Sequence, residues 1–262
     1  MGDDDPWRQR RLQVALAFLL SIVAVYLATW ETLTIGDDDV VRIEYDGFTI
    51  FLSCAARSAL RFEYRLDADT GNARRARRFR LDPRVPKRCQ QWSTGSYARM
   101  HAGYDRGHLV PANHMDESDE QIRQTNFMTN IVPQASAVNR GPWLQTEVLI
   151  ECARDIAPVD VWGGVLFGND ARQDYFLESH GIRTPSHFWK VAATITNDQP
   201  NVIAWLIPNT ETTTSSHASY IVPVSTIDRM IAVHGLGPVP IDERLKHTIA
   251  SPWTIPANCD RS

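Results

Sequence analysis

The feature that most limits what this chain can become lies near its start. Residues 13–34 carry one charged side chain, Glu31, and the apolar part, VALAFLLSIVAVYLATW (residues 14–30), carries none. As a helix rising 1.5 Å per residue, that part spans about 26 Å, the short end of what a bilayer needs. A helix apolar on every face has no polar side to turn to water, so the stretch reads as a membrane span. Arg8, Arg10 and Arg11 precede it, and Glu31 and Asp37, Asp38 and Asp39 follow. The positive-inside rule then leaves residues 1–12 as a cytoplasmic tail and places the bulk of the chain on the far side of the membrane. A cleaved signal peptide is the rival reading, but Tyr26 and Leu27 before Ala28 do not supply the small residues that cleavage favours. An uncleaved signal-anchor over residues 13–34 is therefore expected. The acidic start, with Asp3, Asp4 and Asp5, speaks against a mitochondrial presequence.

From Val40 the pattern changes to short segments in which apolar and polar residues alternate around turns, the signature of strands with one buried face. Further strands are expected in VDVWGGVLFG, HFWKVAATIT and NVIAWLIPNT, and a short one around residues 127–133. A short helix precedes residue 127, another should begin near Pro142, since proline suits a first helical turn, and a third lies within residues 220–236. Strands outnumber long helices and no repeat is visible, which predicts an α+β fold.

Net charge is −4 with a pI near 6.1, so the protein as a whole is no polycation. Basic residues are instead concentrated in one run that includes Arg74, Arg75, Arg77, Arg78, Arg80, Arg84, Lys87 and Arg88. Nucleic-acid binding needs cations at the contact rather than on average, and this run is a local patch of that kind, or a solvated loop. Four cysteines, Cys54, Cys89, Cys152 and Cys259, lack the paired spacing of a zinc site. They allow one or two disulfides in an oxidising compartment, or free core thiols at Cys54 and Cys152; the pairing stays open.

Residues 104–115, YDRGHLVPANHM, crowd an acid, a guanidinium, a glycine and two imidazoles into one stretch. On a strand, Arg106 and His108 point to the same face. An imidazole titrates near neutral pH and can take a proton from water, and a guanidinium suits a phosphate oxygen. Asn139 precedes the helix near Pro142, and Glu147 lies on it. An asparagine oxygen with a nearby acid and several waters suits Mg²⁺, which binds few protein oxygens. Singly, each has a plainer reading: Asn139 as a loop or cap residue, Glu147 as a solvated helix position, His108 as a structural histidine.

Taken in order, Asp105-Arg106-Gly107-His108, then Asn130-Ile131-Val132-Pro133-Gln134, then Asn139-Arg140-Gly141-Pro142-Trp143 with Glu147, this set resembles the DNA/RNA non-specific endonuclease family. The resemblance extends over roughly residues 40–245. It implies the ββα-metal (His-Me finger) nuclease fold, with a mainly antiparallel central sheet flanked by helices, over residues 35–250, followed by a C-terminal tail at 251–262. It further implies His108 as general base, Asn139 as the direct ligand of a hydrated Mg²⁺ that Mn²⁺ can replace, and Glu147 as an acid acting through water. Arg106 would lie near the phosphate, Asn130 would organise substrate or water, and an arginine of the basic run, with Arg78 preferred over Arg77 and Arg80, would contact substrate.

DNA and RNA are the implied substrates, the membrane is a partner through the N-terminal helix, and a homodimer is kept open as an assembly. The bacterial periplasm is the expected site of the domain, with the mitochondrial intermembrane space as the alternative. Glu151 departs from members that carry an arginine there. A catalytically silent nucleic-acid-binding protein, or a membrane interaction protein, is the alternative function.

Overall fold

The computed structural model describes residues 39–214, 216–255 and 259. The expected signal-anchor at 13–34 and most of the C-terminal tail lie outside these residues. Among those described, no helix is long and apolar enough to cross a membrane.

Six strands form one antiparallel sheet in the order β1-β2-β3-β6-β7-β8: β1 Val40–Glu44, β2 Phe48–Ser53, β3 Ser58–Leu66, β6 Val159–Leu166, β7 His187–Thr196 and β8 Gln199–Pro208. A separate antiparallel pair joins β4, Tyr104–His108, to β5, Ile131–Ala135. The short strand expected around residues 127–133 thus lies further along, because residues 128–130 turn as a 3-10 helix first.

Alternation explains the strand next to the sheet's edge: in β2, Phe48, Ile50 and Leu52 are buried while Thr49 and Phe51 between them are only half-buried. In β7 both faces are covered, so the strand reads as a nearly continuous apolar run. Trp189 and Val191 point to one side, where Val224, Ile227 and Ile231 of the helix Val224–Ile231 close the core. Phe188 and Ala192 point to the other, into the cluster that holds Val132, Trp143 and Ile150. Each such apolar side chain contributes about 1.5–3 kcal/mol of burial. Lys190 shares the parity of Phe188 and so is carried, fully buried, to this second face.

Three α-helices of seven or more residues are described: α1 Asp119–Thr125, α2 Leu144–Arg154 and α3 Val224–Ile231. Ser118 caps α1, its hydroxyl accepting the Gln121 N–H at 3.2 Å. The helix expected to begin near Pro142 starts earlier: a turn at Ser136–Val138 runs into a π segment, Asn139–Trp143, kinked at Gly141, before α2. Pro142 lacks an N–H for the preceding turn, and the kink is where the ladder is interrupted. Strands β4 and β5 with α2 form the compact strand-strand-helix unit that faces the large sheet.

All four cysteines are paired, Cys54 with Cys89 and Cys152 with Cys259, so none remains a free core thiol. The first bridge ties the end of β2 to the segment before β4, and the second anchors Cys259 to α2.

Candidate active site

Strand β4 carries Arg106 and His108 on one face, as its period of two requires. Gly107 between them is needed for close approach, because a Cβ there would sit 2.3 Å from Oε1 of Gln134. His108 is buried at 9% exposure, and its Nε2 lies 2.8 Å from Oδ1 of Asn126, the residue that ends α1. The amide of Asn126 is oriented by its other end, where Nδ2 donates to the Ala76 carbonyl at 2.8 Å. Oδ1 is therefore the acceptor and Nε2 the protonated nitrogen, which leaves Nδ1 with a free lone pair. Burial pushes the His108 pKa down to about 4, helped by the positive charges of Arg75 and Arg106 and opposed by the Asn126 bond. At neutral pH the ring is uncharged and able to accept a proton. Trp143 Nε1 donates to the His108 carbonyl at 3.2 Å and locks the strand end to the helix side of the site.

Arg106 is half-buried, its guanidinium 3.9 Å from the Phe79 ring centre, and Nη1 donates to the Thr94 carbonyl at 2.9 Å. Asn139 donates through Nδ2 to Asp105 Oδ2 at 3.0 Å, while Arg140 forks onto the same carboxylate at 2.8 and 2.9 Å. Burial would raise the Asp105 pKa, but the Arg140 and Asn139 bonds outweigh it and hold the carboxyl below its ordinary value. With Nδ2 committed, the side-chain oxygen of Asn139 is the atom left to hold a cation.

Glu147, on the first turn of α2, is half-buried, and burial raises its pKa against the opposing charges of Lys190 and Arg75. The Lys190 ammonium lies 3.6 Å from the Trp143 ring centre and donates to Thr146 Oγ1 at 2.9 Å; burial lowers its pKa to about 8, against the pull of Glu147.

His108, Asn139, Arg140 and Glu147 line one cavity of about 350 Å³, together with Arg75, His114 and Glu151, whereas Arg106 and Lys190 are not among its lining residues. Among the described residues, no three His, Cys, Asp or Glu side chains are placed to hold a metal together. A hydrated Mg²⁺ with a single direct protein oxygen, from Asn139, and a nearby acid, Glu147, suits this donor set, whereas a multi-carboxylate cation site does not.

Five placements differ from the sequence expectation or add to it. Arg78 is exposed and turned away, and the arginine of the basic run that lines the cavity is Arg75. Asn130 is fully buried, its amide donating to the carbonyls of Val110 and Thr125 and accepting the Val110 N–H, all at 2.9 Å. It therefore holds backbone together rather than facing substrate. Glu151 borders the cavity but is turned inward to Arg154 and His114, so that position supplies no cation. Asn126 and Lys190 are additions. Asn126 sits four residues before Asn130 at the end of a polar helix, which by itself looks like an ordinary cap; Lys190 shows a signal only as a charge inside an apolar strand.

Comparison with known proteins points the same way. A family profile described as DNA/RNA non-specific endonuclease matches residues 31–237. The chain is 30% identical over 148 residues to a mitochondrial nuclease EXOG of Xenopus laevis, covering 50% of this chain and 39% of that protein. It is 28% identical over 196 residues to the mitochondrial nuclease 1 of Schizosaccharomyces pombe, covering 68% of this chain and 59% of that protein. A nuclease of a Nostoc species is 26% identical over 171 residues, 61% of this chain and 60% of that one. The chain thus spans roughly two fifths to three fifths of these relatives' lengths. A solved EndoG/EndoGI complex contains a chain that superposes with a TM-score of 0.61 at 18% identity, over 73% of this chain and 83% of that one, a likeness of fold.

Proposed function

We propose, for a chain that belongs to the DNA/RNA non-specific endonuclease family, that it is a membrane-anchored, Mg²⁺-dependent endonuclease hydrolysing phosphodiester bonds in DNA and RNA. The observation that carries this reading is the neutral His108 ring, protonated on Nε2 by its bond to Asn126 and lining a cavity shared with Asn139, Glu147 and Arg75. His108 takes a proton from water onto Nδ1 as the water oxygen forms a bond to phosphorus and the bond to the 3′-oxygen breaks. Arg106 and Arg75 balance the charge on the non-bridging oxygens. Asn139 would hold Mg²⁺ directly and Glu147 through water; the cation, replaceable by Mn²⁺, supplies charge neutralisation at the leaving 3′-oxygen. Lys190 stands opposite Glu147 as its counter-charge. Contacts to phosphate position a strand without reading its bases, which agrees with a non-specific substrate range.

Two disulfides favour an oxidising compartment, in keeping with a catalytic domain on the non-cytoplasmic side of the membrane, the bacterial periplasm before the mitochondrial intermembrane space. The test is to incubate the full chain with plasmid DNA and with RNA, in Mg²⁺ and in EDTA. Cleavage in Mg²⁺ should stop in EDTA, and His108→Ala should lower the rate by at least about 10²-fold while the circular dichroism spectrum is kept. Asn139→Ala should displace the Mg²⁺ titration to higher concentration. Cleavage by His108→Ala at the unmodified rate would overturn the assignment.

A further inference from the structure

Beside the candidate site lies a second depression of about 350 Å³, walled by Arg74, Arg77, Arg78, Arg80 and Arg123, with Asp119 as the acid among its lining residues. All five arginines are exposed. Arg123 pairs with Glu120 on α1, whereas Arg74, Arg77, Arg78 and Arg80 form no ion pair with a carboxylate among the described residues. By contrast, Arg65, Arg84, Arg140, Arg172, Arg183 and Arg244 each have such a partner. Unpaired guanidinium groups on one wall repel each other and are stabilised by an anion that spans them.

The depression and the catalytic cavity share a wall. Residues 74–80 turn Arg75 into the cavity and the other arginines into the depression. One amide connects the two, since Asn126 accepts from His108 on one side and donates to the carbonyls of Ala76 and Arg78 on the other. Across the cavity, α2 presents Leu144, Glu147, Val148 and Glu151, and no cation.

We infer that a polynucleotide held at the candidate site leaves it over the arginine groove of residues 74–80 and Arg123, and not along α2. This rests on the nuclease reading above and adds the path of the strand. Six residue steps reach at most about 20 Å, enough for about six phosphates of one strand at 3.4 Å per nucleotide along a duplex. Short phosphodiesters that fill only the cavity gain nothing from the groove, so strand length becomes a determinant of affinity.

The full chain carrying Arg74→Ala, Arg77→Ala and Arg80→Ala together tests this, beside the same three positions changed to lysine. Cleavage of a 30-base-pair duplex is compared with hydrolysis of a p-nitrophenyl thymidine phosphodiester. Binding of the duplex is followed by fluorescence anisotropy against salt in a His108→Ala background. The alanine triple should lower the ratio of duplex to small-ester kcat/KM at least tenfold and reduce the salt slope by about 3. The lysine triple should keep most of the slope, since it keeps the charge. An alanine triple with unaltered ratio and slope overturns the path, as does a lysine triple that loses the slope equally. If the unmodified chain cleaves neither substrate, the nuclease reading fails, while the salt slope still decides whether the arginines bind the strand.

Discussion

Asn126 and His108 are joined by one hydrogen bond, Oδ1 to Nε2 at 2.8 Å, and that bond decides which imidazole nitrogen carries the proton. Because the far end of the same amide is fastened to the Ala76 carbonyl, the amide cannot flip without breaking a second bond. The orientation of the imidazole is thereby set by backbone outside the strand that carries the histidine.

Asn126→Ala should therefore lower kcat by about 10²-fold with a smaller change in KM, since the ring loses its orientation and not its place. Asn126→Asp is the more informative variant. A carboxylate beside the ring favours the imidazolium, so the acid limb of the pH–rate profile should move to higher pH. A profile that does not move would show that the 2.8 Å contact has no role in proton transfer.

Burial holds His108 near 4 and His114 near 3, the latter lowered by desolvation and by the charges of Lys190 and Arg154. The base form of His108 persists well below neutrality, and kcat/KM of the free enzyme should fall off near pH 4 rather than near the ordinary 6.5. The same shifts bear on stability. In the unfolded chain both rings protonate as pH falls through about 6.5, while in the folded chain they do so only near their lowered values. The unfolded state binds more protons across that window, so stability present above it is lost as pH falls, by about 1.4 kcal/mol per pH unit for each ring. Urea titrations at intervals between pH 7 and pH 4 measure this slope.

Glu151 acts in the opposite sense. It is buried at 3% exposure with Oε2 lacking a hydrogen bond, and burial, aided by Asp69 and Asp116 and opposed by Arg154, raises its pKa to about 7. A raised carboxyl costs stability as pH climbs from its unfolded value towards 7 and ionisation is forced on it. Glu151→Gln should raise Tm by about 2–4 °C at pH 8 and leave it unaltered at pH 5, where the glutamate is already neutral. Equal shifts at both values would show that ionisation is not the cause.

The Cys54–Cys89 bridge, with 35 residues of separation, closes the loop that contains β3 and the whole arginine run. Replacing both cysteines by alanine should cost about 2–4 kcal/mol in denaturant unfolding, chiefly through the freedom returned to the unfolded chain. Dithiothreitol, which also opens the Cys152–Cys259 bridge, should produce a larger loss in the unmodified chain, and no loss in the alanine variant would mean that the Cys54–Cys89 bridge leaves the unfolded state unconstrained.

Much of the fold is legible in the residues themselves. Alternation marks β2 and β3, the apolar run of residues 187–193 marks a strand covered on both faces, and the order from Asp105 to Glu147 marks the strand-strand-helix unit. What escapes sequence reasoning is direction. Several arginines within residues 74–80 are equivalent as letters, and only folded backbone turns Arg75 inward and Arg78 outward. Asn130 and Asn126 are likewise indistinguishable as residue types; the first spends its amide on the carbonyls of Val110 and Thr125, the second on an imidazole. The helix start escaped because Pro142 signals a first turn so strongly, while the turn at Ser136–Val138 has no such marker.

The bridge from α2 to Cys259 has a consequence for how the protein is made. Cys259 follows Cys152 by 107 residues, which at about 5–20 residues per second takes about 5–20 s to synthesise. Throughout that interval Cys54 and Cys89 already exist, and the thiol of the helix that carries Glu147 is without its mate. If Cys54 and Cys89 pair within that interval, Cys152 meets no rival thiol, and the order of emergence keeps the helix that carries Glu147 from a wrong cross-link. Oxidation that joins Cys152 to Cys54 or Cys89 within that interval is the circumstance in which the chain would be born misassembled.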